Sequence, residues 1–135
     1  IRPGETICDL GCGEGRVLIT SAKEFFTRAI GVEIDPIKVV IARLLARING
    51  VSDRVQIVRG NMFDFDPGSV DVLYLYLSHQ SMDRLFPEIL KKLKPSVRIV
   101  SYRFCLRGMT PDKVSEDKTL FLYQLDKGTK INTYH

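Results

Sequence analysis

The sequence predicts an α/β fold with a doubly wound, mostly parallel sheet. Three observations carry this. Short β-type apolar runs alternate with longer runs of helical spacing. A glycine-rich turn, Gly11-Cys12-Gly13-Glu14-Gly15, closes the first strand-like run and opens the first helical one. The 135 residues suffice for one core. The expectation is one domain over residues 1–135, with a natural N-terminal segment missing ahead of Ile1.

Taken in order, Glu5–Leu10 reads as a buried strand, and Arg16–Phe26 follows with helical spacing through Val17, Leu18, Ser21, Ala22 and Phe25. Arg28–Ile34 is a second strand. Pro36 suits a first helical turn, where its missing N–H costs nothing. That helix runs through Ile37–Ile48 and stops at Asn49-Gly50. Val55–Arg59 is the third strand, Val70–Leu77 the fourth, Met82–Leu93 a helix ended by Lys94-Pro95, and Arg98–Phe104 the fifth strand. Residues 105–119 read as a loop. Leu120–Leu125 and Lys130–Tyr134 read as strands joined at Asp126-Lys127-Gly128-Thr129, a hairpin that makes one strand antiparallel to the rest.

Composition narrows the function. The chain is 44% hydrophobic and 27% charged, as ordinary globular chains are. No apolar run reaches the ~20 residues of a membrane helix, and no signal-peptide pattern is present, so a cytoplasmic setting is expected. Cys8, Cys12 and Cys105 are odd in number and lack zinc-ligand spacing, so they read as reduced thiols with no metal site. The net charge is +4, spread along the chain with one tight cluster at Lys91, Lys92 and Lys94. A cluster ending a helix suits the helix dipole, and nothing resembles a phosphate-binding stripe.

In open α/β sheets, ligands bind at strand carboxyl ends. A dinucleotide fingerprint, G-x-G-x-x-G, would need glycine at position 16, which is Arg16. The spacing here is Asp9-x-Gly11-x-Gly13-x-Gly15, which argues against NAD. Asp9 would repel a pyrophosphate but suits a ligand with an ammonium group and a positive sulfur, S-adenosylmethionine. Glu33, in Gly31-Val32-Glu33-Ile34-Asp35, ends the second strand and can accept both ribose hydroxyls. Asn61 and Asp64, in Gly60-Asn61-Met62-Phe63-Asp64, can bond an adenine edge, with Met62 on its face. Any one of these elements alone could be a plain turn or loop; their order at three successive strand ends is the signal.

Together they resemble the class I S-adenosylmethionine-dependent methyltransferases over nearly the whole chain. The resemblance implies a Rossmann-like sheet of order 3-2-1-4-5-7-6 with strand seven antiparallel, and a cofactor set of Asp9, Gly11, Cys12, Gly13, Gly15, Glu33, Ile34, Asn61 and Met62. The helix usual between strands five and six has little room here. Strand four reads Asp71-Val72-Leu73-Tyr74-Leu75-Tyr76-Leu77-Ser78, without the Asn/Asp-Pro-Pro-Tyr/Phe motif of nucleobase amine methyltransferases.

Over roughly residues 4–125 the chain is similar to archaeal protein-lysine methyltransferases and their mitochondrial relatives. This rests on Tyr74-Leu75-Tyr76-Leu77, Leu93-Lys94-Pro95, Val100-Ser101-Tyr102-Arg103-Phe104 and Gly108-Met109-Thr110-Pro111-Asp112-Lys113. That family usually has Trp where Met109 stands. The resemblance implies methylation of a protein lysine. A lysine, with a pKa near ~10.4, must first lose its proton, and an apolar mouth favours that loss. Tyr76 and Phe104 are the expected mouth, and His79, expected on a loop, could help remove the proton. Other readings are a methyltransferase acting on RNA or a small molecule, and a non-catalytic cofactor-binding subunit.

Overall fold

The computed structural model describes residues 2–106 and 109–124, except for the side chain of His79. The strands form a seven-stranded sheet of order β3-β2-β1-β4-β5-β7-β6, the arrangement expected. The chain divides into two compact units, Ile1–Phe65 and Asp66–His135.

In the first unit, β1 (Thr6–Leu10), β2 (Arg28–Glu33) and β3 (Val55–Arg59) pair in parallel, with Leu10 beside Val32 and Glu33 beside Arg59. Cys8, Leu10, Ala29 and Val32 are buried, which is why these strands read as apolar runs. Helix α1 (Arg16–Phe25) turns Leu18, Ile19, Ser21 and Ala22 inward. The Ser21 and Thr27 hydroxyls pair at 2.7 Å, which satisfies two buried polar groups. Helix α2 (Pro36–Ile48) starts as its sequence dictates. Asp35 caps it by accepting from the Ile37 N–H at 2.9 Å, and Pro36 fills the first turn. At the other end the Asn49 amide donates to the Leu45 carbonyl at 2.8 Å.

In the second unit, β4 (Val72–Leu75) pairs parallel with β5 (Arg98–Tyr102), and β7 (Leu120–Gln124) lies antiparallel on β5. Helix α3 (His79–Leu90) supplies Met82, Leu85, Phe86 and Ile89 to a core that includes Leu73, Ile99 and Tyr123. Lys94 pairs with Asp71. The buried Tyr123 hydroxyl accepts from the Leu106 N–H at 2.9 Å, anchoring the segment after β5.

Two expectations need correction. Residues 105–119 are not all loop, because β6 (Lys113–Val114) lies within them and pairs antiparallel with β7. Two residues are too few to give a period; the strand exists through its partner, with Asp112 donating to Leu122 at 2.7 Å and Ser115 to Leu120 at 3.0 Å. β6 and β7 thus form an antiparallel hairpin, and the turn and strand expected over residues 126–134 lie outside the described residues. Helix α3 begins earlier than Met82, because Ser78 caps it by accepting from the Ser81 N–H at 3.2 Å. Among the described residues no helix separates β5 from β6.

Candidate cofactor site and acceptor mouth

The first unit assembles its site from the ends of β1, β2 and β3. After Leu10 the chain folds back sharply, and the N–H groups of Gly11 and Cys12 both donate to the Val32 carbonyl, at 2.8 and 3.0 Å. Gly11, Gly13 and Gly15 all have positive φ, at 76°, 59° and 79°, which is why glycine alternates here. A Cβ placed on Gly13 would meet nothing within 4 Å, so the space over the turn is open. At Gly31 the reverse holds. A Cβ there would lie 2.5 Å from Leu18 Cδ1 and 2.7 Å from Cys12 Sγ.

Glu33 is buried, and its carboxylate clamps the two turns together. Oε1 accepts from the Gly13 N–H at 2.8 Å and Oε2 from the Asp35 N–H at 3.0 Å. A carboxylate oxygen accepts more than one hydrogen bond, so these contacts orient the group without exhausting it. The Gly60 N–H donates to the Glu33 carbonyl at 3.0 Å and brings the end of β3 alongside. There Asn61 caps a single 3-10 turn, Met62–Asp64, with Oδ1 accepting from the Phe63 N–H at 2.9 Å. Met62 is half-buried. Ile34, beside Glu33, is 66% exposed, an aliphatic side chain with little protein over it.

Asp9 is buried at the end of β1, and burial first, then the charge of Glu33, lifts its carboxyl to about 7. Burial and the same carboxylates push the Cys12 thiol up to about 12. Cys8 is raised as well, chiefly by burial. Both are therefore protonated packing groups and not thiolate nucleophiles. Asp9, Gly11, Cys12, Gly13, Gly15, Glu33, Ile34, Asn61 and Met62 all fall within this first unit.

The second unit holds the expected mouth. Tyr76, just past β4, is exposed, and its ring meets that of Tyr102 edge-on at 4.9 Å and 76°. The Arg103 guanidinium lies 5.2 Å from the Tyr102 ring centre. The backbone of Arg103 is left-handed, with φ 69°, and its N–H donates to Thr119 at 2.6 Å. That turn ends β5 and leaves Phe104 beyond the strand, half-buried, with its carbonyl accepting from the Ser101 hydroxyl. Tyr102 and Arg103 were not singled out from sequence. The signal was present, since Tyr102 ends β5 next to β4 in the sheet. His79 is the first residue of α3 and not a loop residue; its side chain lies outside those described. Among the described residues, no cluster of metal-binding side chains occurs and no helix is long and apolar enough to cross a membrane.

Residues 9–113 match the model of the ANTKMT methyltransferase domain, most of the chain. The chain belongs to this methyltransferase family. The methyltransferase is 37% identical over 126 residues to a protein-lysine N-methyltransferase of Saccharolobus islandicus, covering 88% of this chain and 78% of that protein. It is 32% identical over 95 residues to a ribosomal protein L11 methyltransferase of Pelotomaculum thermopropionicum, but spans only 31% of that longer protein. Among solved structures it superposes on an RNA methyltransferase from Salinibacter ruber in complex with S-adenosyl-L-homocysteine. The TM-score is 0.89 at 31% identity, over 94% of this chain and 84% of that one. The methyltransferase is thus an S-adenosylmethionine-dependent enzyme.

Proposed function

We propose that this enzyme methylates the side-chain amine of a lysine in a protein, with residues 1–135 acting as one S-adenosylmethionine-binding domain. The observation that carries the reading is the similarity, along 88% of the chain, to a protein-lysine N-methyltransferase. Two features of the second unit support it. Strand β4 leads into Leu75-Tyr76-Leu77-Ser78 and not into a Pro-Pro motif. The exposed Tyr76 and the half-buried Tyr102 offer an aromatic pair suited to a long alkyl amine.

The first unit suits S-adenosylmethionine. The oriented Glu33 carboxylate retains acceptors for two ribose hydroxyls, Ile34 and Met62 offer apolar surface to an adenine, and the open turn over Gly13 admits the amino-acid end. Asp9 suits its ammonium group. Asn61 spends Oδ1 on its cap, which leaves its amide N–H groups for the adenine edge. When bound, the cofactor supplies an electrophilic methyl group on a sulfonium. The chain's own work is alignment and dehydration. Tyr76, Tyr102 and Phe104 strip water from an entering ammonium group, and desolvation favours release of its proton. Turnover then rises with pH above neutrality, because the neutral fraction of a free lysine grows about tenfold per pH unit below its pKa.

The Salinibacter ruber structure favours a second reading, an RNA acceptor. Incubation of the chain and methyl-labelled S-adenosylmethionine with a cell extract separates the two. Protease-sensitive, nuclease-resistant label supports the protein acceptor; the opposite pattern overturns it.

A further inference from the structure

We propose that the outward face of α2 is a docking surface for an anionic phospholipid bilayer. Helix α2 buries Val39, Ala42 and Ala46 on its inner side. On the opposite side, Ile37, Val40, Leu44 and Ile48 stand 70%, 63%, 53% and 70% exposed. Their spacing puts them in one straight stripe, where a surface helix normally presents polar groups. Basic residues border the stripe on both sides: Arg43 and Arg47 on one, Lys38 on the other. No acidic residue occurs in the helix.

This is the charge pattern of a helix lying in a membrane interface, with aliphatic side chains among the acyl groups and cations at the phosphates. A second feature fits a phosphate headgroup. Beside α2 a recess of about 380 Å³ is lined by Arg43, Arg47, Ser52 and Gln56, with no acid among its lining residues. The Arg43 guanidinium is held there by donating to the Ile57 carbonyl at 2.9 Å. Self-association through this stripe would bring the basic borders of two copies together, so an anionic surface is the better complement.

The inference does not rest on the choice of methyl acceptor. Its test is co-sedimentation of the chain with vesicles of phosphatidylglycerol and phosphatidylcholine in equal parts, against phosphatidylcholine alone. Binding to the anionic vesicles, weakened by salt, is expected. Leu44→Glu, and separately Lys38→Gln with Arg47→Gln, should each lower that binding about tenfold while thermal unfolding and methyl transfer in solution stay unchanged. Val40→Glu provides a second stripe variant should Leu44→Glu fold poorly. Absence of binding to anionic vesicles, or equal binding by wild type and the stripe variants, overturns the proposal. So does a dimer in solution that Leu44→Glu converts to monomer, since the face would then join two copies.

Discussion

The two units of this enzyme carry different kinds of information. In the first, the geometry of the candidate cofactor site is made by backbone. Glycines adopt left-handed conformations, Glu33 accepts main-chain N–H groups, and Gly60 ties β3 to β2. In the second, the candidate mouth is made by side chains, Tyr76 against Tyr102 with Arg103 over the second ring. A site built from backbone constrains residue type tightly, because few residues tolerate positive φ or a close approach. A site built from aromatic side chains can be assembled in many ways, so it leaves a weaker mark on the sequence.

The contrast can be broken at several points. The largest effect is expected at Gly31, where added atoms meet Leu18 and Cys12 at once. Gly31→Val should cost about 3 kcal/mol of stability, readable by urea denaturation, and wild-type stability would show that the first unit yields more easily than its packing implies. Next comes Glu33→Ala, which should weaken S-adenosylmethionine by about 2 kcal/mol by calorimetry, since the ribose loses a charged acceptor and the turn its clamp. Unchanged affinity would remove Glu33 from the site.

Asp9 tests the electrostatics. Its carboxyl is lifted from the ordinary value of 3.8 to about 7, so the folded state holds a proton that the unfolded state releases. Stability on this account is greatest at acid pH, declines as pH rises between those values, and stays reduced above them. Asp9→Asn removes the buried charge and should gain about 1–2 kcal/mol of stability above neutral pH while weakening cofactor binding. A variant less stable than wild type at alkaline pH would contradict the assignment. The smallest effect is expected in the second unit. Tyr76→Ala should lower turnover about fivefold with little change in cofactor affinity, because it alters only how the acceptor is held. Untouched turnover would leave the mouth without its main aromatic.

How much of this was legible follows the same division. The turn at Gly11–Gly15 and the acid at Glu33 are readable because strand ends and positive-φ positions force residue choice, whereas the order of the sheet follows only from the family resemblance that those residues carry. The cap at Ser78 was missed because a serine before His79-Gln80 precedes no apolar run until Met82, and the helix start was placed there instead. Strand β6 was missed because Lys113 and Val114 are both exposed and take their conformation from β7. Tyr102 lies within the run Val100-Ser101-Tyr102-Arg103-Phe104, yet only the pairing of β4 with β5 sets its ring against Tyr76.

The central claim, a lysine acceptor in protein, is tested most directly by mass spectrometry of proteins from a cell extract incubated with the chain and isotopically labelled S-adenosylmethionine. The account predicts labelled methyl groups on lysine side-chain nitrogens, lost with Glu33→Ala and reduced with Tyr76→Ala. Labelled nucleotides recovered from RNA, with protein lysines unlabelled, would contradict it.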